Sequence, residues 1–217
     1  MNIFITAHLR SGSSHVVETL SRLTGNNIGY LMPQFSGTKG NEENVISHTD
    51  IQCMTHQGKW IFHIHAKGSA NHRYLLKAFH LKPVVLLRNI PDALVSVKEQ
   101  LEVGAQFPGF TRPKNWSQLS ENMKWQWIMV YIAPWFLDFE RSWQNHPEAL
   151  ITTHRNMFLD PYIGYKAIFD HVGLEVPARS AILEHHNAHR TNFVTGVPNR
   201  GQSIPHPWLE YFNDLPK

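Results

Sequence analysis

Apolar residues in this chain fall into short dense runs and longer spaced ones, and the alternation of the two predicts the architecture. Residues 2–7 (NIFITA) read as a short buried strand. Over residues 13–23 the apolar positions Val16, Val17, Leu20 and Leu23 share one face of a helix, with Ser13 or Ser14 placed to cap it. Residues 24–58 turn to Gly, Asn, Ser, Thr and Gln with scattered apolar positions, which predicts a long excursion with little regular structure. Order returns with KWIFHIHA (59–66) as a strand, ANHRYLLKAF (70–79) as a helix and PVVLLR (83–88) as an apolar strand ending on a charge. Pro91 then sits in the first turn of a helix reaching about Glu102, where its missing N–H costs nothing. Residues 118–144 predict one long helix kinked at Pro134. A further strand is expected over 149–153 and a further helix over 161–172. Gly196, Pro198, Gly201, Pro205 and Pro207 make the segment after His189 a loop. With neither an internal repeat nor a linker, this alternation predicts a single α/β domain over residues 1–217, three-layered around a mostly parallel sheet.

Composition sharpens that picture. A chain of 217 residues with 42% hydrophobic and 12% aromatic content has the material for a real core. The first residues lack the features of a secretory leader and no run approaches ~18 apolar residues, so a cytoplasmic protein that does not enter membranes is expected. The single cysteine, Cys53, allows neither an internal disulfide nor a zinc site of several thiolates; it is expected to be inert and agrees with a reducing compartment. A formal charge of +3 with dispersed Lys and Arg argues against nucleic acid as a partner.

The candidate chemistry lies in the turns. LRSGSS follows the first strand and opens the first helix, the place where α/β folds bind anions with backbone N–H groups and the positive end of a helix dipole. Gly12 permits close backbone approach, Ser11, Ser13 and Ser14 add hydroxyls, and Arg10 adds a fixed charge. An ordinary strand-to-helix turn with Ser caps uses the same residues, and the spacing is not that of a nucleotide-kinase phosphate loop. A second unit, VVLLRNIPDALVSV (84–97), puts Arg88 at a strand end and Ser96 eight residues on, able to close on one phosphate; alone it reads equally as a surface Arg and an exposed helix Ser.

Together the two units resemble the PAPS-dependent sulfotransferases, whose first motif is roughly [KR]-S-G-[ST]-[ST] and whose second is R-N-P-x-D-x-x-x-S. Here Arg10 to Ser14 match the first; Arg88, Asn89, Asp92 and Ser96 match the second, with Ile90 and Pro91 in place of Pro and a variable residue. HIH puts His65 where cytosolic members carry a catalytic His in K-T-H, THRNMFLDP is similar to their Y-E-D-L-x-x-D-P, HVGLEV to F-L-G-L, and PNRGQS to the late R-K-G loop through Arg200 and Gly201. The order of these segments spans almost the whole chain. It departs from the pattern at His15, where many members stack an aromatic ring on adenine, at His154 for the Tyr of Y-E-D, and at His63 for the Lys of K-T-H; Arg10 stands where cytosolic members have Lys.

The resemblance implies a P-loop-like sulfotransferase fold and transfer of a sulfuryl group from 3′-phosphoadenosine 5′-phosphosulfate (PAPS) to a hydroxyl or amine, leaving PAP, with no metal. It implies that Arg10 and the turn of Ser11, Gly12, Ser13 and Ser14 hold the 5′-phosphosulfate, that Arg88, Ser96 and the loop of Arg200 and Gly201 hold the 3′-phosphate, that His15 and His154 lie at adenine, and that His65 is the base. A chain short for the family implies a small-molecule acceptor, walled by 24–58, by 102–116 and by a ring among Trp125, Trp127, Tyr131 and Trp135, which are otherwise core. Two other classes stay open: a metal-dependent hydrolase using His63 with His65, or His185, His186 and His189, and a protein that binds PAP or PAPS without transferring. Nothing in the sequence speaks to oligomeric state.

Overall fold

The computed structural model describes residues 1–31, 46, 48–105, 107, 110, 112–188 and 199–216. Five parallel strands, β1 (Ile3–Ala7), β2 (Asn27–Gly29), β3 (Trp60–Ile64), β4 (Pro83–Leu87) and β5 (Leu150–Thr153), form one sheet in the order β2-β3-β1-β4-β5. Central β1 sets Ile5 opposite His63 on one side and Val84 on the other. The helices among the described residues are α1 (Ser13–Thr24), α2 (His48–Gln57), α3 (Ala70–Ala78), α4 (Ile90–Glu102), α5 (Glu121–Tyr131), α6 (Ala133–Gln144), α7 (His154–Leu159), α8 (Pro161–Val172), α9 (Arg179–Ala188) and α10 (His206–Asp214).

The apolar runs are unbroken because both faces of the sheet are covered. Ile3, Ile5 and Ala7 of β1 pack with Ile61, Val84 and Leu86 against Val16, Leu20, Ile168 and Ile182 of α1, α8 and α9. Phe4 points the other way, into a core with Phe62, Val85, Leu76, Leu94, Ile128, Phe136 and Phe212, from α3 to α6 and α10. From central β1 the chain goes to edge strand β2, returns to β3 beside β1, and then crosses to β4 and β5 on the other side. The carboxyl ends of β3, β1 and β4 therefore lie at the reversal, where the following loops part and leave a crevice.

Four expectations are corrected. Residues 24–58 carry β2 and α2, although 32–45 and 47 fall outside the described residues. The helix expected over 118–144 is two: the chain breaks at Ile132, and Pro134, having no N–H to donate, starts α6 instead of kinking a continuous helix. The tail forms a short 3₁₀ turn at Arg200–Ser203 and then α10, with Pro207 in its first turn; 189–198 fall outside the described residues. Neither Ser13 nor Ser14 caps α1, whose N-cap is Gly12 in the left-handed region with no side-chain cap bond. Trp125 and Trp135 are core, whereas Tyr131 is exposed.

One buried contact fixes the chain as it leaves β3. Thr6 Oγ1 donates to the Ala66 carbonyl at 2.9 Å and accepts the Ala66 N–H at 3.2 Å, and Trp143 Nε1 donates to the same carbonyl at 3.0 Å. Thr6→Val keeps the shape and leaves a buried N–H unpaired, so it should lower stability by about 1–3 kcal/mol. Urea unfolding should show a lower midpoint at unchanged slope; an unchanged midpoint would remove this contact from the account of the fold.

Candidate active site

The turn after β1 is built for close approach. Arg10 and Gly12 both have left-handed backbone, φ 61° and 84°, a signature of backbone concavities that bind anions. A Cβ on Gly12 would lie 2.9 Å from Phe158 Cε2 and 3.3 Å from His154 Cδ2, so glycine is required for space as well as for φ. Left-handed Arg10 carries strain of order 1 kcal/mol, and two contacts hold it: its Nε donates to Ser96 Oγ at 3.0 Å, and its carbonyl accepts from Arg88 Nη1 at 3.1 Å. Arg88 and Ser96, expected to close on one phosphate, thus both meet Arg10: Ser96 its side chain and Arg88 its backbone carbonyl. The turns after β1 and β4 are one unit.

His8, which no sequence motif singles out, is the second tie between those turns. It is fully buried; its Nε2 meets the Arg88 N–H at 2.7 Å and the Arg88 carbonyl at 2.9 Å, and its Nδ1 lies 3.1 Å from the Leu9 carbonyl. Burial depresses its pKa to about 4, which keeps the ring neutral. The signal available was a polar residue closing an apolar strand.

Three guanidinium groups converge on this unit. Arg88 is buried, and its Nε and Nη2 have no hydrogen-bond partner among the described residues; the same holds for Ser11 Oγ. Burial lowers the pKa of Arg88, Asp92 opposes that, and Arg200 and Arg10 lower it further by like charge; burial and then Arg200 likewise lower Arg10. The N-termini of α1 and α4 open beside this cluster and add positive potential. A buried cation with unpaired donors is costly unless an anion completes it. Arg200 is paired with Glu99 of α4, and its loop is held to Asp92 through the N–H groups of Asn199 and Gly201.

Two imidazoles stand beside the turn from β3, on one side of the strand as expected, with rings 5.4 Å apart. His63 Nε2 is bonded to Ser13 Oγ at 2.9 Å, and burial holds its pKa down to about 3. His65 lies just past the end of β3, where its Nδ1 hydrogen-bonds the Ala7 carbonyl. A carbonyl can only accept, so Nδ1 carries the proton and Nε2 keeps its lone pair. Burial lowers the His65 pKa and this bond partly opposes it.

His15 and His154 are both buried, with Phe158 between them. His15 Nε2 meets His186 Nδ1 at 3.1 Å, its ring centroid is 5.2 Å from Phe158, and Phe158 stacks on His154 at 4.3 Å and 26°. The structure thus brings the two residues together, with Phe158 and His186, which nothing in the sequence assigns to the same place. His154 opens α7, whose N-cap Thr153 accepts the Asn156 N–H. Ser14, in the first turn of α1, is exposed. Among the described residues no group of three or more His, Cys, Asp or Glu is arranged to hold a metal; His189 falls outside them.

No family model matches the sequence, and no curated protein matches it. Solved structures do match the fold. Mouse sulfotransferase SULT7A1 complexed with PAP is similar at a TM-score of 0.69 and 14% identity, over 98% of this chain and 82% of that one. Retinol dehydratase, solved with androsterone and inactive cofactor PAP and with retinol and PAP, is similar at a TM-score of 0.53 with 13% and 15% identity. That match covers 86% of this chain and 63% of the dehydratase chain. The chain has the α/β fold of the sulfotransferases. No helix among the described residues is long and apolar enough to cross a membrane.

The buried imidazoles predict acid sensitivity. His63, His8 and His154 have folded pKa values of about 3, 4 and 4 against 6.5 for the free group, so the unfolded chain binds their protons first. Their stabilisation is complete above pH 6.5 and is lost as pH falls toward the folded values. Glu140, raised by burial from 4.5 to about 7, works in the opposite sense between those values and offsets one of the three. Net uptake of roughly two protons on unfolding should cost on the order of 2–3 kcal/mol per pH unit near pH 5.5. Urea titrations at pH 5, 5.5 and 6 check this, and stability that is flat or rises toward acid would refute neutral, buried imidazoles at these three positions.

Proposed function

We propose that the chain, as a single domain over residues 1–217, is a PAPS-dependent sulfotransferase acting on a hydroxyl or amine of a small molecule. The observation that carries this is the buried cluster in which Arg10, Arg88 and Ser96 lock together while two nitrogens of Arg88 stay unpaired. Such a cluster suits a bound phosphate. The fold likeness to proteins solved with PAP, and the androsterone and retinol held by one of them, agree with it. A cytoplasmic setting rests on the lone cysteine, Cys53.

On this reading Arg88, Ser96 and the loop of Arg200 and Gly201 hold the 3′-phosphate. Arg10 and the turn of Ser11, Gly12, Ser13 and Ser14 hold the 5′-phosphosulfate, and adenine lies near His15 and His154. PAPS supplies the sulfuryl group and PAP is what remains. Arg10 and the turn N–H groups meet charge growing on the phosphate oxygen as its bond to sulfur breaks. His65 Nε2 takes the proton from the acceptor as the acceptor bonds to sulfur; its Nδ1–H on Ala7 fixes the tautomer that leaves Nε2 basic. His63 is occupied by Ser13, which favours His65 as the base. No observation on the described residues favours a hydrolase.

Calorimetry should show PAP binding more tightly than AMP, and Arg88→Ala should weaken PAP by about 2–5 kcal/mol, as for truncating one partner of a buried ion pair; equal affinity for PAP and AMP would sink the assignment of Arg88 and Ser96. In transfer assays with labelled PAPS and a metabolite extract, His65→Ala should lose roughly 10²–10⁴ in rate while keeping PAP affinity. Arg10→Ala should harm both, with Arg10→Lys recovering much of the loss. Full activity in both His65→Ala and His63→Ala would end the general-base role, and PAP binding without turnover on any acceptor would mark a protein that only binds the nucleotide.

A further inference from the structure

Arg10, Arg88 and Arg200 repel one another, and Arg200 arrives from the far end of the chain, so something must hold its loop against that repulsion. Two acids of α4 do so in different ways. Glu99 is paired with the Arg200 guanidinium itself. Asp92, in the first turn of α4, grips the backbone: Oδ2 accepts the N–H of Asn199 at 3.0 Å and Oδ1 accepts the N–H of Gly201 at 2.7 Å. Charge-assisted bonds of this kind are roughly twice as strong as neutral ones. The Asp92 residue is buried, at 6% exposure, and its own N–H is taken by Asn89 Oδ1 at 3.2 Å, which fixes the carboxylate's origin.

The loop is shaped to meet that carboxylate. Asn199 adopts left-handed backbone, φ 66°. Gly201 is buried against Pro91, and a Cβ there would lie 2.4 Å from Pro91 Cβ and 3.3 Å from the Asp92 nitrogen. Beyond it the Ile204 N–H returns to the Gly201 carbonyl, and Ile204 enters the core. Asp92 also raises the pKa of Arg88, so one carboxylate lies close to the second-motif arginine and to the loop that carries Arg200.

We infer that Asp92 is a positioning residue of the anion site: its carboxylate docks the loop of Asn199, Arg200 and Gly201 on the first turn of α4 and so sets Arg200 beside Arg88 and Arg10. Its consequence for nucleotide affinity rests on the sulfotransferase reading above; the docking itself does not. Both Asp92 oxygens are taken by the loop, and a carboxylate repels a phosphate, so it acts through Arg200.

Two measurements separate the docking from the reading. Amide exchange of Asn199 and Gly201, followed by NMR in the free protein, reports the dock; calorimetry with PAP and with AMP reports its consequence. Asp92→Ala should speed exchange at both amides by about ten- to hundredfold and weaken PAP by a similar factor, while AMP, lacking the 3′-phosphate, changes by less than about twofold. Asp92→Asn keeps one acceptor oxygen and should restore part of both effects. Gly201→Ala, which pushes the loop off Pro91 with Asp92 intact, should reproduce them and add little to Asp92→Ala in the double variant; this pair carries the test if Asp92→Ala does not fold. Unchanged exchange overturns the dock. Faster exchange with an unchanged PAP-to-AMP ratio, in a wild type that prefers PAP, overturns the positioning role. A wild type that does not prefer PAP overturns the sulfotransferase reading, and exchange still decides the dock.

Discussion

Mutual repulsion among three guanidinium groups is the constraint around which this molecule is arranged. At the carboxyl ends of β1 and β4 the sheet delivers Arg10 and Arg88 to adjacent turns, and Arg200 is brought to them from the opposite end of the chain. Left alone, such groups would separate into water. They stay because each is tethered: Arg10 by Ser96, Arg88 by the Arg10 carbonyl and, through its backbone, by His8, and Arg200 by its ion pair with Glu99. Folding thereby stores a concentrated positive potential in a low-dielectric crevice, where it acts on an anion far more strongly than the same charges would at the surface.

Histidine carries much of the polar structure of the interior. His8 bridges two turns, His63 holds a hydroxyl of the turn after β1, and His15 joins His186 between α1 and α9. Each is buried, and for His8 and His63 burial drives the ring to its neutral form. A neutral imidazole offers one donor and one acceptor on a flat, largely apolar frame, which suits a crowded place between strands and helices. The abundance of histidine is therefore explained in part by packing.

Much of this was legible in the sequence, and the gaps have physical causes. Strands buried on both faces announce themselves as apolar runs, so β1, β3 and β4 were found nearly to the residue, as was the half-exposed edge strand β5, and Pro91 and Pro161 marked helix starts. Helix α2 escaped because it packs through little more than Ile51, and α10 because Pro205 and Pro207 mask the face of Trp208, Leu209 and Phe212 that packs on the core. The break at Ile132 was invisible because a proline signals equally a kink or a start. Arg10, Arg88 and Ser96 were found by spacing, but their mutual bonding was not, since a motif gives residue types and not which side chain takes which partner. His8, Phe158 and His186 match no motif position and enter through three-dimensional neighbours alone.

The grip of Asp92 on the loop of Arg200 also has a temporal side. Its two bonds join residues 107 and 109 positions apart in the chain. At ~5–20 residues per second, synthesis needs on the order of 5–20 s to travel from one to the other. During that interval Arg10 and Arg88 can already be in place, because β1 and β4 lie side by side in the sheet, while the third arginine has yet to be made. The three-arginine cluster is thus finished late, and a nascent chain that has already built β1, β3, β4 and β5 still lacks its third guanidinium until the segment around Arg200 has emerged.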